Sequence, residues 1–493
     1  MTTVTEIMQA TFGRPSRSKR PPMGLLSKVV AVAAIAGAIA GCTADADAVQ
    51  ADDLRIFFPT GLVVSPDGSK LFVANANSDL TYSSGSISVF RLPSVEAVVT
   101  DWLASRAVPA SSCDDDADEG DDPDHACCAQ SAEFSETLVC DEDLFLAESR
   151  AAGARIGNFA TDIALQDLGG GALRLIVPTR GDPSIAWADW DPVAERLQCD
   201  DRNPEQPFPS CDGRHRLTFL LNDADRAAIP EEPFGVYASS ADEYAMVTHL
   251  TTGRVTLIDS PREGTVQMTD IQDRLFEPDP TTGLIGATSI VGRTPNAPGG
   301  IVYVGSRSED RIQTLTVGRP LNDAPPFLIA GSWFFLDGVG NDTNPNSRSN
   351  DTRGMVFSAD GNRLYLLNRR PPTLQILDTS IGPTGVPRNE LVGAVDVCRQ
   401  ASTVTVVDSG DGERAYLTCF QDGQIYVVDP RGRGRVEDIV TVGGGPYAVA
   451  AAPGGQRLYV TNYLEDTIAV IDLTPGSPTR NRVVLRIGEP REL

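Results

Sequence analysis

Two short stretches carry oxygen ligands at alternate positions. Asp342, Asn344 and Asn346 stand in DGVGNDTNPNSRSND (337–351), and Asp114, Asp116 and Asp118 stand in CDDDADEGDDPDHACC (113–128). Hard cations draw several oxygens from one short turn, so calcium is the cofactor these loops would hold. The first loop lacks the glycine and distal glutamate of an EF-hand, and long runs of like charge are commonly solvated surface. Polar surface loops are therefore the alternative. His125, Cys127 and Cys128 together suggest zinc, but their spacing matches no common finger.

The chain has 9 cysteines. Apart from Cys42 they cluster as Cys113, Cys127, Cys128 and Cys140, then Cys199 with Cys211, then Cys398 with Cys419. An even number left over in an oxidising compartment reads as disulfides, with the pairing among the first four left open. Catalytic motifs are missing: the sequence holds no G-x-S-x-G elbow, P-loop, H-E-x-x-H or C-x-x-C-H. With only 3 histidines (His125, His215 and His249), His-rich copper and haem sites are excluded.

Residues 1–41 read as an address. Arg14, Arg17, Lys19, Arg20 and Lys28 precede an apolar run from Val29 to Ala40, shorter than the roughly 20 residues a bilayer span needs. The run ends in Ile39-Ala40-Gly41-Cys42, which resembles the lipobox of bacterial lipoproteins. That resemblance implies acylation of Cys42, which becomes the new N-terminus, and residues 42–53 then form a linker. Thr43 in the next position implies an outer-membrane destination, with the membrane reached through the lipid anchor only. Removing 1–41 takes away five basic residues and one acidic one, moving the net charge from −26 to −30. A surface this acidic repels phosphate backbones and argues against nucleic acid. Only Lys70 is then left as a lysine, which weighs against lysine-based covalent catalysis.

The elements that must position any site come from a repeat. LFVAN (Leu71–Asn75), LYLLN (Leu364–Asn368) and LYVTN (Leu458–Asn462) each follow a Gly-containing turn and an alternating strand, the pattern of a β-hairpin. A fixed spacing extends the series: Asn462 leads by ten residues to Asp472, Asn368 to Asp378, Cys419 to Asp429, His249 to Asp259, Thr179 to Asp189 and Ser306 to Thr316. Asn75 maps to Arg91 with six extra residues between. The count is seven copies. One such unit cannot bury both faces, so the copies must stack around an axis. The fold expected is an all-β, seven-bladed β-propeller of four-stranded antiparallel blades over 54–490, with insertions at 93–145, 190–213 and 337–351. Closure is expected to pair Leu54–Phe58 with the last blade, unless Val483–Ile487 supplies an ordinary fourth strand.

Tyr459-Val460-Thr461-Asn462 resembles the repeat that names the YVTN family of β-propellers. Strand alternation places the second-to-third-strand loops and the blade-to-blade loops on one face, around the channel mouth. Asn75, His249, Asn368 and Asn462 are the rim candidates there; a disulfide between Cys398 and Cys419 would pin the rim. Missing catalytic motifs and the anchor point to a binding or scaffold module for a protein or glycan ligand. The alternative, implied by resemblance to propeller lactonases, is a hydrolase with a channel-centred divalent metal held by Asn, Asp and Glu.

Overall fold

A strand whose residues are all apolar has to be covered on both faces. Leu71, Phe72, Val73 and Ala74 are all fully buried. Leu71 and Val73 pack with Tyr459, Ile468 and Val470 of the last repeat, whereas Phe72 and Ala74 pack with Leu173, Leu175 and Val177 of the second. Every junction between successive repeats has its own apolar cluster of this kind. The sheets therefore stack face to face in a closed ring, a seven-bladed propeller.

The computed structural model describes residues 55–109, 127–146, 153–199, 208–279, 282–294, 299–322, 324–336 and 351–491. All belong to the unit Val49–Leu493. Cys42, the linker 42–53, Cys113 and both sets of expected calcium ligands (Asp114, Asp116 and Asp118; Asp342, Asn344 and Asn346) lie outside the described residues.

Each blade is an antiparallel sheet in chain order from the axis outward. Blade 1 runs Pro59–Val64, Lys70–Asn75, Gly85–Arg91 and Ala154–Ile156. The innermost strands of blades 3 to 7 are Pro233–Ser239, Ala287–Gly292, Thr352–Phe357, Ala401–Asp408 and Pro446–Ala451. In blade 2, Arg196–Gln198 and Arg216–Leu217 both pair with Ser184–Asp191. The outer edge there is interrupted by a loop that Cys199–Cys211 closes.

The repeated residues have physical reasons. The aspartate closing the third strand accepts a backbone N–H two residues on: Ser380 to Asp378 (2.9 Å), Arg431 to Asp429 (3.1 Å) and Thr474 to Asp472 (3.0 Å). This turn-forming bond accounts for the aspartate in blades 5 to 7, whereas Asp189 and Asp259 instead accept from Arg174 and Arg319. The hairpin turn uses the same device, with Ser69 N–H donating to Asp67 at 3.0 Å and Asn362 N–H to Asp360 at 2.9 Å.

Closure takes the second of the two expected forms, the ordinary fourth strand. Residues 55–58 form no strand, and the last blade takes its fourth strand, Arg482–Ile487, from the C-terminal end. The insertion in blade 1 then adds to that sheet. Leu138–Cys140 pairs parallel with Leu485–Ile487, and Cys128–Gln130 pairs with Leu138–Cys140, so blades 7 and 1 are joined at their outer edges. The disulfide Cys128–Cys140 locks this hairpin, and Cys127 is disulfide-bonded as well. Glu142 sits beneath it, accepting the Ile56 N–H at 3.2 Å, and burial pushes its carboxyl up to about 8.

The insertion also contains a helix, Leu92–Ser105, that the repeat pattern does not foreshadow. Its buried face is Leu92, Val95, Val99 and Trp102, the three-and-four spacing of an amphipathic helix. Pro93 opens its first turn, where a missing N–H costs nothing. No described helix is long and apolar enough to cross a membrane. Three disulfides among the described residues fit an extracytoplasmic location.

Candidate functional site: the axial cavity

A bulge in the innermost strand shapes the axis. In six blades the pairing register shifts just after the first residue of that strand. The residue that follows the bulge packs against the next blade, so it is small: Gly61, Gly235, Ser289, Gly354, Thr403 and Ala448. A Cβ on Gly235 would come within 2.6 Å of the Thr288 carbonyl oxygen. Blade 2 departs, with Asp162 in the equivalent place. Its Oδ1 accepts the Ile163 N–H at 2.9 Å and its Oδ2 accepts the Val236 N–H of blade 3 at 3.1 Å. Burial pushes this carboxyl up to about 6, although part of it stays open to the cavity.

Hydroxyls stitch the blades at the same level. Thr60 donates to Ala160 O (2.8 Å), Thr161 to Phe234 O (2.6 Å), Thr288 to Thr352 O (2.5 Å) and Thr403 to Tyr447 O (2.7 Å). Between blades 5 and 6 an arginine takes that place: Arg369 Nε donates to Ala401 O at 2.6 Å and Nη2 to Ser402 Oγ at 3.1 Å. Inside this collar lies a cavity of about 330 Å³, to which all seven blades contribute walls.

The cavity reverses the sign of the molecule. Arg180, Arg353 and Arg369 line it, with Asp162 as the lining carboxylate. Burial, then Arg353, depresses the Arg307 guanidinium; Asp351 opposes this, and Arg370 and Arg180 add to it. Arg180 is paired with Glu232, and Arg353 with Asp351 at 2.7 Å. Neither Arg369 nor Arg307 pairs with a carboxylate among the described residues. Arg307 Nη1 makes one long bond, 3.4 Å to Leu250 O, and its buried Nε makes none. Burial, then Arg353, pushes Arg369 down to about 10. Among the described residues, five arginines thus face three carboxylates, within a chain of net charge −26. An excess of one sign in a concave, partly dry site focuses its field on the opposite charge.

Part of the wall is aromatic. Tyr447 lines the cavity and adjoins Tyr463 and Phe420 at ring-centroid distances of 6.2 and 6.3 Å. Phe58 lies 5.3 Å from Tyr463.

The four rim candidates are not part of this lining. Asn75, His249, Asn368 and Asn462 are fully buried, because the second strand ends behind the innermost one. Their side chains instead hold the segment arriving at their own blade. Asn75 Oδ1 accepts the Phe57 N–H (3.3 Å), Asn368 Oδ1 accepts the Asp351 N–H (2.9 Å), and Asn462 Nδ2 donates to Val442 O (3.0 Å). His249 Nδ1 meets Glu231 O at 3.1 Å and Nε2 meets Thr256 Oγ1 at 2.8 Å; burial holds it down at about 4. In blade 6 the contact is covalent, the disulfide Cys398–Cys419.

In four blades the residue after the marker lies at the cavity: Arg180, Leu250 and Arg369 line it, and Arg307 lies beside it, whereas Ala76 is buried with Phe57 and Phe58. The sequence carries this signal as Thr179-Arg180, Ser306-Arg307 and Asn368-Arg369, one step beyond the marker. A channel-centred metal does not fit the described residues. No three His, Cys, Asp or Glu side chains among them converge on a point. Asn75, Asn368 and Asn462 face into their blades, and a cation beside Asp162 would share the cavity with arginines.

No protein-family model and no curated protein matches the chain. Solved structures resemble it in fold. A Lactobacillus plantarum protein is 16% identical with a TM-score of 0.47, covering 69% of this chain and 92% of its own. A putative 6-phosphogluconolactonase from Bacteroides fragilis is 13% identical (TM-score 0.47, 65% and 85% covered). The periplasmic gluconolactonase of Pseudomonas aeruginosa is 15% identical (TM-score 0.45, 80% and 89% covered). At these identities the likeness concerns the propeller alone.

Proposed function

We propose that the protein is a cell-envelope binding module, tethered to the outer membrane through Cys42, that captures an anionic ligand in its axial cavity. The supporting observation is the pair of arginines, Arg369 in the wall of the cavity and Arg307 beside it, that form no ion pair with a described carboxylate and share the attraction of Asp351 with Arg353. A half-desolvated guanidinium without a counter-charge of its own is costly to keep in a fold, and an arriving oxyanion lowers that cost.

The test is a screen of the full chain against acidic and neutral glycans and peptides, beside a lactone-hydrolysis assay with and without added calcium. Arginine-dependent retention of acidic ligands that weakens as salt is raised supports the reading. Lactone turnover abolished by Asp162→Asn, without such retention, overturns it in favour of a hydrolase. The tether is tested separately: Cys42→Ser protein should leave the membrane fraction, and undiminished membrane association would remove Cys42 from the account.

A further inference from the structure

The chemistry of the cavity walls narrows the ligand class. The volume of about 330 Å³ is at the small end of ligand pockets. It admits the end of a chain or one small molecule, not a protein surface. Three features then have to be matched at once.

The first is the arginine side. A planar guanidinium presents paired donors that suit a carboxylate; Arg369 lines the cavity, and Arg307 beside it commits only Nη1, in a long bond to Leu250 O. The second is the threonine collar. Thr60, Thr161 and Thr403 have committed their hydroxyl protons to backbone carbonyls. What a threonine oxygen then still offers is acceptor capacity, so the collar suits a ligand rich in O–H donors. The third is Tyr447, which lines the cavity within electrostatic reach of Arg353 and Arg369. An aromatic ring offers a flat apolar surface to a compact ring-shaped body.

We propose that the cavity binds the terminal uronic-acid residue of an acidic glycan, with its carboxylate toward Arg307 and Arg369, its hydroxyls on the threonine collar and its ring against Tyr447. This rests on the reading of the cavity as a ligand site. A free phosphate matches the charge but leaves the collar and Tyr447 unused. A peptide C-terminus supplies a carboxylate and an apolar side chain but few O–H donors.

Calorimetric titration of the full chain with trigalacturonate, its methyl ester, a neutral galactose trimer and inorganic phosphate tests this. Trigalacturonate is expected to bind at least about tenfold more tightly than the ester or the neutral trimer, the scale of one lost charge-assisted contact. Arg369 also bridges to blade 6, so Arg369→Gln risks misfolding, and Arg307→Gln carries the test with an expected loss of about tenfold. Tyr447→Leu is expected to weaken the sugar while leaving phosphate binding unchanged. Equal binding of acid and ester, phosphate binding as tightly as the trimer, or tighter binding of a peptide carboxylate would each overturn the uronate assignment while the cavity remains a ligand site. If no anion binds in an arginine-dependent way, both readings fall together.

Discussion

Blades 5 and 6 share a backbone plan and differ in two consecutive residues. Blade 5 ends its second strand in Asn368-Arg369, blade 6 in Cys419-Phe420. The first residue of each pair does one job by two means. Asn368 holds the arriving segment by accepting the Asp351 N–H, and Cys419 holds it through a bond to Cys398. The second residue does unrelated things. Arg369 reaches across to blade 6 and lines the cavity, while Phe420 joins the aromatic group with Tyr447 and Tyr463. Positions that repeat serve the fold, and the positions beside them are free to vary for a ligand.

The largest test of this comparison is removal of the disulfide. Replacing both Cys398 and Cys419 by serine opens a covalent loop spanning 21 residues and is expected to cost about 3 kcal/mol, measured by urea unfolding. Asn368→Ala breaks the corresponding bond in blade 5 and should cost less, about 2 kcal/mol, because no constraint on the unfolded chain is lost. If the asparagine variant proved the more damaging, the equivalence of the two pins would be wrong.

His249 occupies the same place in blade 3 and adds a pH signature. Its folded pKa, about 4, lies below the ordinary 6.5. Between these values the unfolded chain binds more protons, so stability from this residue is present above about pH 6.5 and lost as pH falls toward 4. The full swing is on the order of 3 kcal/mol. Asp162 works in the opposite sense: its carboxyl is raised to about 6, so its contribution is lost as pH rises through that value. The two overlap, and the wild-type profile alone does not separate them. The informative measurement is the difference between wild type and His249→Gln, which should move by about 3 kcal/mol in the variant's favour from pH 7 to pH 4. A constant difference would mean that the imidazole titrates normally.

The repeat was legible because it follows from local rules. The apolar run, the Gly turn and the closing aspartate each leave a mark in sequence, and Asp378, Asp429 and Asp472 recur for one turn bond. The site was less legible for a geometrical reason. Asn75, Asn368 and Asn462 stand out by recurring, and recurrence marks what every blade needs. The cavity draws one residue here and two there: Asp162 where other blades carry a small residue, Arg353 where they carry Thr60 or Tyr447. Only closing the ring brings these together. The helix Leu92–Ser105 was legible in principle, since Leu92, Val95, Val99 and Trp102 have helical spacing, but it lies beside an acidic run that dominates the composition of the insertion.

The smallest expected effect on stability separates the two roles most clearly. Arg307 follows the marker Ser306, whose hydroxyl donates to Gly286 O at 3.3 Å and so holds the segment arriving at blade 4. Ser306→Ala should therefore destabilise by about 1 kcal/mol and leave ligand binding at its wild-type level. Arg307→Gln removes a half-buried guanidinium that makes a single long bond and relieves its repulsion from Arg353, which outweighs its attraction to Asp351. Its unfolding midpoint should stay within about 0.5 kcal/mol of wild type, or rise. The anion affinity should fall about tenfold in the same protein. Two adjacent substitutions would then have opposite consequences, one for the fold and one for the ligand. A parallel loss of stability and binding in both would show that the blade 4 mouth is merely scaffold.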